Sequence, residues 1–154
     1  MTESQDELWM HEALREALAA LAAGEVPIGA VVVHAGKIVG RGSNRVIRDN
    51  DPSAHAEIVA LRDAGRNLAN YRLEDAELFV TLEPCIMCAG AIVHARVKRL
   101  VYGADDPKAG AVKSVARVFD LAALNHRVEV SSGVLAGRCM ETLQAFFREK
   151  RQAK

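Results

Sequence analysis

Residues 77–88, ELFVTLEPCIMC, pass without a break from a strand-like run into two cysteines three positions apart. No other stretch constrains the chain as tightly. The apolar, β-branched and aromatic segment 77–82 reads as a buried strand. Pro84 suits the opening of a helix, predicted over 85–95. Cys85 and Cys88 then share its first turn. Three residues turn a helix by about 300°, so both sulfurs lie on one side. The free N–H groups and dipole at that end favour thiolates, and thiolates are the form that binds zinc.

The rest of the chain alternates in the same way. Residues 5–23 carry Leu8, Met10, Leu14, Leu18 and Leu21 at helical spacing on one broad face, with Gly24 as the stop and Pro27 as the exit. Valine-rich 28–34 and its return 38–42 form a hairpin about the turn 35–37. A polar segment, 44–53, leads to a helix over 54–65, capped by Ser53, with Ile58, Leu61 and Ala64 inward. A strand over 98–103 is followed by a loop over 104–114. A short helix at 117–124, an edge strand at 127–131 and a helix at 134–151 complete the pattern. The last helix has Leu135, Cys139, Leu143 and Phe146 or Phe147 on its buried side. Strands alternating with helices predict an α/β protein with a mixed sheet covered on both faces.

The length of 154 residues suits one domain, 1–154, large enough to bury a core without disulfides. Twenty basic and twenty acidic side chains give zero formal charge, which excludes a globally basic nucleic-acid coat. Local clusters remain: Arg96, Lys98 and Arg99, then Arg148, Lys150, Arg151 and Lys154. No apolar run approaches the ~18 residues of a membrane span. The opening MTESQDELWM is acidic and unlike a signal peptide. A cytoplasmic address is expected, where cysteines serve as ligands or catalysts before disulfides.

His55-Ala56-Glu57 supplies the remaining chemistry. An imidazole at a helix start can project off its end as a third metal ligand. Residues two apart point about 200° apart on an ideal helix, so His55 and Glu57 converge only if His55 sits at the edge. Three protein ligands leave a position open for water, as catalytic zinc sites do, whereas structural sites are closed by four. His94 lies nine positions beyond Cys85, about 180° around the helix. Cys139 belongs to an apolar stripe, and Glu57 is better used as a proton carrier. His11, His34, His94 and His126 read as surface or capping residues and Met87 as core. Asp105-Asp106, beside Pro107, reads as a turn rather than a second metal pair. A dithiol redox pair and a closed, non-catalytic zinc module are the competing readings of the same residues.

His55-Ala56-Glu57 and Pro84-Cys85-Ile86-Met87-Cys88 carry the H-x-E and P-C-x-x-C signature of zinc deaminases that act on nucleobases. EVPIGAVVV, NDPSAHAEIVAL, NYRLEDAELFVTLEPCIMCAGAIVHARV, YGADDPKAGA and NHRVEV…GVL…FFR resemble bacterial tRNA-specific adenosine deaminases of the TadA type over about residues 8–150. The resemblance implies a three-layer α/β/α cytidine deaminase-like fold with a mixed five-stranded sheet, usually a homodimer. It implies one Zn2+ per subunit on His55, Cys85 and Cys88, with Glu57 catalytic. The implied reaction is hydrolysis of adenosine to inosine at the wobble position of a tRNA anticodon stem-loop. The alternative is a small-molecule cytosine, guanine or nucleotide deaminase on the same zinc core. By position Asn44 matches the adenine-binding residue. Glu25, Val26, Ala56, Pro84, Asp106 and Lys108 match residues near the flipped base and its neighbours. Phe146, Phe147 and Arg148 match the helix that meets the anticodon loop. Departures stand out at two places: Lys113 replaces a glycine and the VARVFD that follows differs from the family pattern, and Gly42-Ser43 replaces a bulkier residue before the asparagine.

Overall fold

The computed structural model describes residues 3–153. Five strands form one sheet in the order β2-β1-β3-β4-β5. They are β1 (Gly29–His34), β2 (Lys37–Ser43), β3 (Glu77–Leu82), β4 (Arg99–Ala104) and β5 (Glu129–Ser131). The β1 strand pairs antiparallel with β2 and β3, while β3–β4 and β4–β5 are parallel. The sheet is therefore mixed, as the alternation of elements predicted.

Four helices cover it: α1 (Gln5–Ala22), α2 (Ala56–Leu68), α3 (Ile86–His94) and α4 (Ala136–Gln152). One face packs Met10, Ala13 and Leu14 of α1 and Cys139 of α4 on Val31, Phe79 and Val101. The other packs Ala56, Ala60 and Ala64 of α2 and Ala89 and Ile92 of α3 on Val32, Val80, Leu100 and Tyr102. Residues along β1, β3 and β4 are buried toward both faces, which is why they read as continuous apolar runs. Each fully buried valine, leucine or phenylalanine there contributes about 1.5–3 kcal/mol.

The inward face of α1 differs from the one expected. Met10, Ala13, Leu14, Ala17 and Ala20 are buried, whereas Leu8 and Leu18 are 45% and 53% exposed. Alanines win because the helix lies almost on the sheet. A Cβ on Gly29 would stand 2.1 Å from the Ala13 carbonyl oxygen, so small residues must meet there. Likewise α2 buries Ala60 and Ala64 in preference to Ile58 and Leu61, which are half-buried.

Several boundaries also move. Ser53 does not cap α2; its hydroxyl bonds Asp51 at 2.7 Å, and His55 is the extended residue preceding the helix (φ −69°, ψ 155°). The helix passes Gly65 and stops at Leu68, where Ala69 turns left-handed (φ 53°) and Asn70 N–H bonds the Gly65 carbonyl. This is a Schellman closure with alanine in the position glycine favours. The short helix expected at 117–124 is a single 3-10 turn, Val118–Asp120. Met87, expected in the core, is 37% exposed on the outer side of α3.

At the β2 edge, the Asp63 carboxylate accepts the Arg41 backbone N–H at 2.9 Å, and Asn67 donates to the Val39 carbonyl at 2.6 Å. Val39 is the extra residue of a bulge between the pairs Val32–Gly40 and Val33–Ile38. Both groups point away from β1, and α2 supplies their partners.

Candidate active site

The site forms where β3 ends and α2 and α3 begin. Strand β3 delivers Glu83, Pro84 and Cys85 beyond its last residue, Leu82. Cys85 is the extended N-cap of α3 (φ −77°, ψ 177°), and Cys88 lies one turn in. His55 holds the same position on α2. Two helix N-termini, each partly positive, thus aim at one point. Because His55 stands just outside α2, its ring and the Glu57 carboxyl can converge although only one residue separates them.

The His55 Nδ1 atom faces both sulfurs, 3.5 Å from Cys85 Sγ and 3.6 Å from Cys88 Sγ. Bonds of about 2.3 Å to sulfur and 2.0–2.1 Å to nitrogen, at a tetrahedral angle, separate N and S by roughly 3.6 Å. The observed edges match. All three donor atoms lie within 4.8 Å of one another, and no other such trio of His, Cys, Asp or Glu occurs among the described residues. This group can hold a metal ion. The Cys88 hydrogen bond draws the Cys85 thiol down to about 3 against the opposing effect of burial, with His55 adding to the pull, so the pair readily carries a thiolate.

Glu57 is buried beside this group. Burial pushes its carboxyl up to about 7, and the Cys85 charge adds to the rise. A buried carboxyl beside this three-donor group is placed to take up and give back a proton.

A cavity of about 130 Å³ opens over these atoms, walled by Ile28, Asn44, His55, Glu57, Leu82, Glu83, Cys85, Asp106 and Ala109. Of the residues singled out in the sequence, Asn44, Asp106, His55, Glu57 and Cys85 meet in this cavity, with Cys88 just beneath. The others do not reach its wall. Ala56 is buried under β2, and Pro84 is buried with its carbonyl accepting the Ala111 N–H at 2.8 Å. Val26 offers its carbonyl to Asn44 Nδ2 at 3.5 Å. Glu25 is fully buried, and its oxygens accept from Ile47 N–H (3.1 Å), Arg48 N–H (2.8 Å) and Arg48 Nε (3.2 Å). Burial raises its pKa, but these bonds from Arg48 and Ile47 outweigh it and hold the group below the usual carboxylate range.

Lys108, Phe147 and Arg148 line a second, more open groove of about 720 Å³ with Gln144, Lys150 and Arg151. Phe147 is 46% exposed there; Phe146 is buried behind it, edge-on at 5.3 Å. Lys154 lies outside the described residues. Arg99, grouped above with Arg96 and Lys98, is not a free cation. Asp6 (2.6 Å) and Glu77 (2.9 Å) neutralise it at the far end of β4.

Sequence reasoning overlooked Glu83. Its carboxylate accepts backbone N–H groups from Asp106 (3.0 Å), Val112 (3.1 Å), Lys113 (2.9 Å) and Ser114 (3.0 Å), and the Ser114 hydroxyl as well. Desolvation opposes ionisation, yet these bonds hold it at about 2. Glu83 thereby ties the loop bearing Asp106 to the residue before Pro84-Cys85. The available signal was a charged residue at the inner end of a buried strand. Asp106 closes a turn by accepting from Lys108 and Ala109 N–H (3.0 and 3.2 Å), as the Asp-Asp-Pro sequence indicated. Lys113 keeps an ordinary negative φ, so the position does not require glycine, and its ammonium pairs with Asp105 at 3.4 Å.

A mixed α/β sheet with a His-Cys-Cys group and a buried glutamate at its strand ends defines a deaminase of the cytidine deaminase-like fold. The family model for MafB19-like deaminases matches residues 4–151. A tRNA-specific adenosine deaminase of Haemophilus influenzae is 53% identical over 150 residues, 97% of this chain and 87% of that one. A solved structure from work on A-to-I editing by tRNA:A34 deaminases superposes with a TM-score of 0.86 at 48% identity, covering 88% of this chain and 99% of that chain. A guanine deaminase of Nitrosomonas europaea superposes at 0.78 with 26% identity, covering 95% and 86%. The chain belongs to the tRNA-specific adenosine deaminase family. Among the described residues no helix is long and apolar enough to cross a membrane.

Proposed function

We propose that this protein hydrolyses adenosine to inosine at the wobble position of tRNA, in the cytoplasm, with one zinc ion per subunit on His55, Cys85 and Cys88. The observation that carries the reading is geometric: Glu57 is buried and lines the same small cavity as the His55 and Cys85 donors. When bound, the ion supplies Lewis acidity that makes a water nucleophilic near neutral pH.

Glu57 takes a proton from the attacking water and passes it to N1 of the adenine, then takes the remaining proton from the new C6 hydroxyl and delivers it to the departing amine. C6 gains an oxygen and loses its amino group, so adenosine and water become inosine and ammonia. Asn44 hydrogen-bonds the base, and Leu82 and Ile28, which line the same cavity, pack against it. The 130 Å³ cavity is far below the roughly 300–1,000 Å³ of pockets that enclose drug-sized ligands. It suits one extruded base with the rest of the nucleotide outside. Single-stranded anticodon loops present such bases at little unstacking cost. Asp106 borders the mouth of the cavity. The groove of Lys108, Phe147, Arg148, Lys150 and Arg151 receives the neighbouring phosphates and a stacked base.

A second copy of the chain covers the outer side of α2 and α3. Leu61, Ala91, Ala95 and Tyr71 line an open, mainly apolar groove there, and Ile86 stands exposed nearby. Light scattering checks this: Ala91→Glu should yield a monomer, and a wild-type mass for that variant would refute the placement.

The reading is tested by incubating zinc-loaded protein with an anticodon stem-loop bearing wobble adenosine, and in parallel with free adenosine, cytidine and guanine. Nuclease digestion and mass spectrometry should find inosine in the stem-loop alone. Ammonia from a free base or nucleoside with the stem-loop untouched would overturn the tRNA assignment.

A further inference from the structure

We propose that Glu25 and Arg48 form a positioning pair that holds Asn44 at the base cavity without touching the substrate. This rests on the reading that Asn44 binds the adenine.

The Asn44 side chain faces the cavity with few fixed partners of its own. Its Oδ1 accepts from Val46 N–H at 3.4 Å and its Nδ2 reaches the Val26 carbonyl at 3.5 Å, both long. An amide held this loosely keeps its donors and acceptor for a ligand. Its aim must then come from the backbone. Asn44 N–H is anchored to the Ile28 carbonyl at 3.1 Å. Its carbonyl accepts from Arg48 Nη2 at 2.8 Å, and the same nitrogen lies 3.4 Å from Ser43 Oγ. The guanidinium is fixed in turn by Nε, which donates to Glu25 at 3.2 Å.

Glu25 also accepts the backbone N–H groups of Ile47 and Arg48, so the segment 44–48 closes around one buried carboxylate. That carboxylate has no free face for a ligand. The Arg48 side chain, 30% exposed, is the element that reaches from Glu25 to Asn44. A planar fork can serve both acceptors at once; a lysine ammonium on its flexible stem is a point charge without that geometry. Removing the fork leaves Glu25 with two backbone donors, so the turn keeps its fold while Asn44 loses one of its two backbone anchors.

The test uses the zinc-loaded full chain and the stem-loop substrate. Arg48→Met should raise KM about tenfold with kcat within about twofold, the pattern of lost ground-state positioning. Metal content should equal that of the wild type. Arg48→Lys should behave like Arg48→Met. In an Asn44→Ala background, Arg48→Met should add nothing, because its effect runs through a side chain already removed. An unchanged KM in Arg48→Met would overturn the proposal, as would a loss that multiplies in full onto Asn44→Ala. So would restoration of wild-type KM by Arg48→Lys, which would leave only a charge effect. A wild-type KM in Asn44→Ala alone would instead sink the assignment of Asn44 to the base, and the pair would lose its target.

Discussion

Gly42 lies so close beneath α2 that a Cβ on it would stand 2.3 Å from the Ala56 carbonyl oxygen and 2.4 Å from the Ala60 nitrogen. Both atoms are backbone and cannot swing aside. Gly42→Ala should therefore push the first turn of α2 off the sheet, and that turn carries His55 and Glu57. We expect a loss of about 1–3 kcal/mol, typical of overpacking, together with weaker metal retention. Denaturant unfolding and metal analysis after dialysis check this. Wild-type stability would show that the helix has slack at this point.

Glu57→Gln keeps the shape of the side chain but cannot carry a proton. It should retain a stoichiometric metal ion and lose at least about 10²–10⁴ in kcat, the range of general acid–base contributions. Inosine formation under single-turnover conditions measures it. Retained turnover would remove Glu57 from the chemistry.

The lowered pKa of Glu25 sets a pH dependence for stability. Its folded pKa lies below the ordinary value of 4.5. The unfolded chain therefore binds the proton first, and the stabilisation is fully present above pH 4.5 and fades as pH falls through the lower, folded value. Comparing wild type with Glu25→Gln by denaturation in the metal-free state isolates this contribution. The stability gap between them should narrow as the pH is taken down from 6 to 3. A gap that widens toward acid would contradict the ionised, hydrogen-bonded carboxylate.

The groove beside α4 should report through salt. Each cation paired with a single-stranded phosphate contributes about 0.7 to the slope of log K against log salt. Arg148→Ala with Arg151→Ala should weaken stem-loop binding and flatten the slope by roughly 1.4. Phe147→Ala should cost about 1–3 kcal/mol of affinity with the slope unchanged, as for a lost stacking contact. Equal slopes for the double variant and the wild type would place the RNA elsewhere.

The donor set was legible because its logic is local. Two cysteines on one helix turn and a histidine at a helix start follow from spacing, and the sheet's mixed character follows from the alternation of elements. The inward side of α1 was not legible. Leu8 and Leu18 fit the helical period as well as Ala13 and Ala17 do, and only the approach of Gly29 in space decides between them. Ser53 is as good a cap as any by type, yet Asp51 claims its hydroxyl. Glu83 eluded the sequence reading because its backbone partners lie 23 to 31 positions downstream in a loop without a period. Glu25 was found by its position but not by its action; its partners are N–H groups, which no residue letter records.

The partners that α2 gives to Val39 and Arg41 have a consequence away from the chemistry. An open sheet ends in strands whose free backbone groups invite another chain to pair. Here two such groups on β2 are already taken by Asp63 and Asn67, and the opposite margin, β5, is only three residues long. Neither flank offers a long template, so concentrated protein should resist strand-by-strand aggregation while the helical faces stay free to meet RNA or a second subunit.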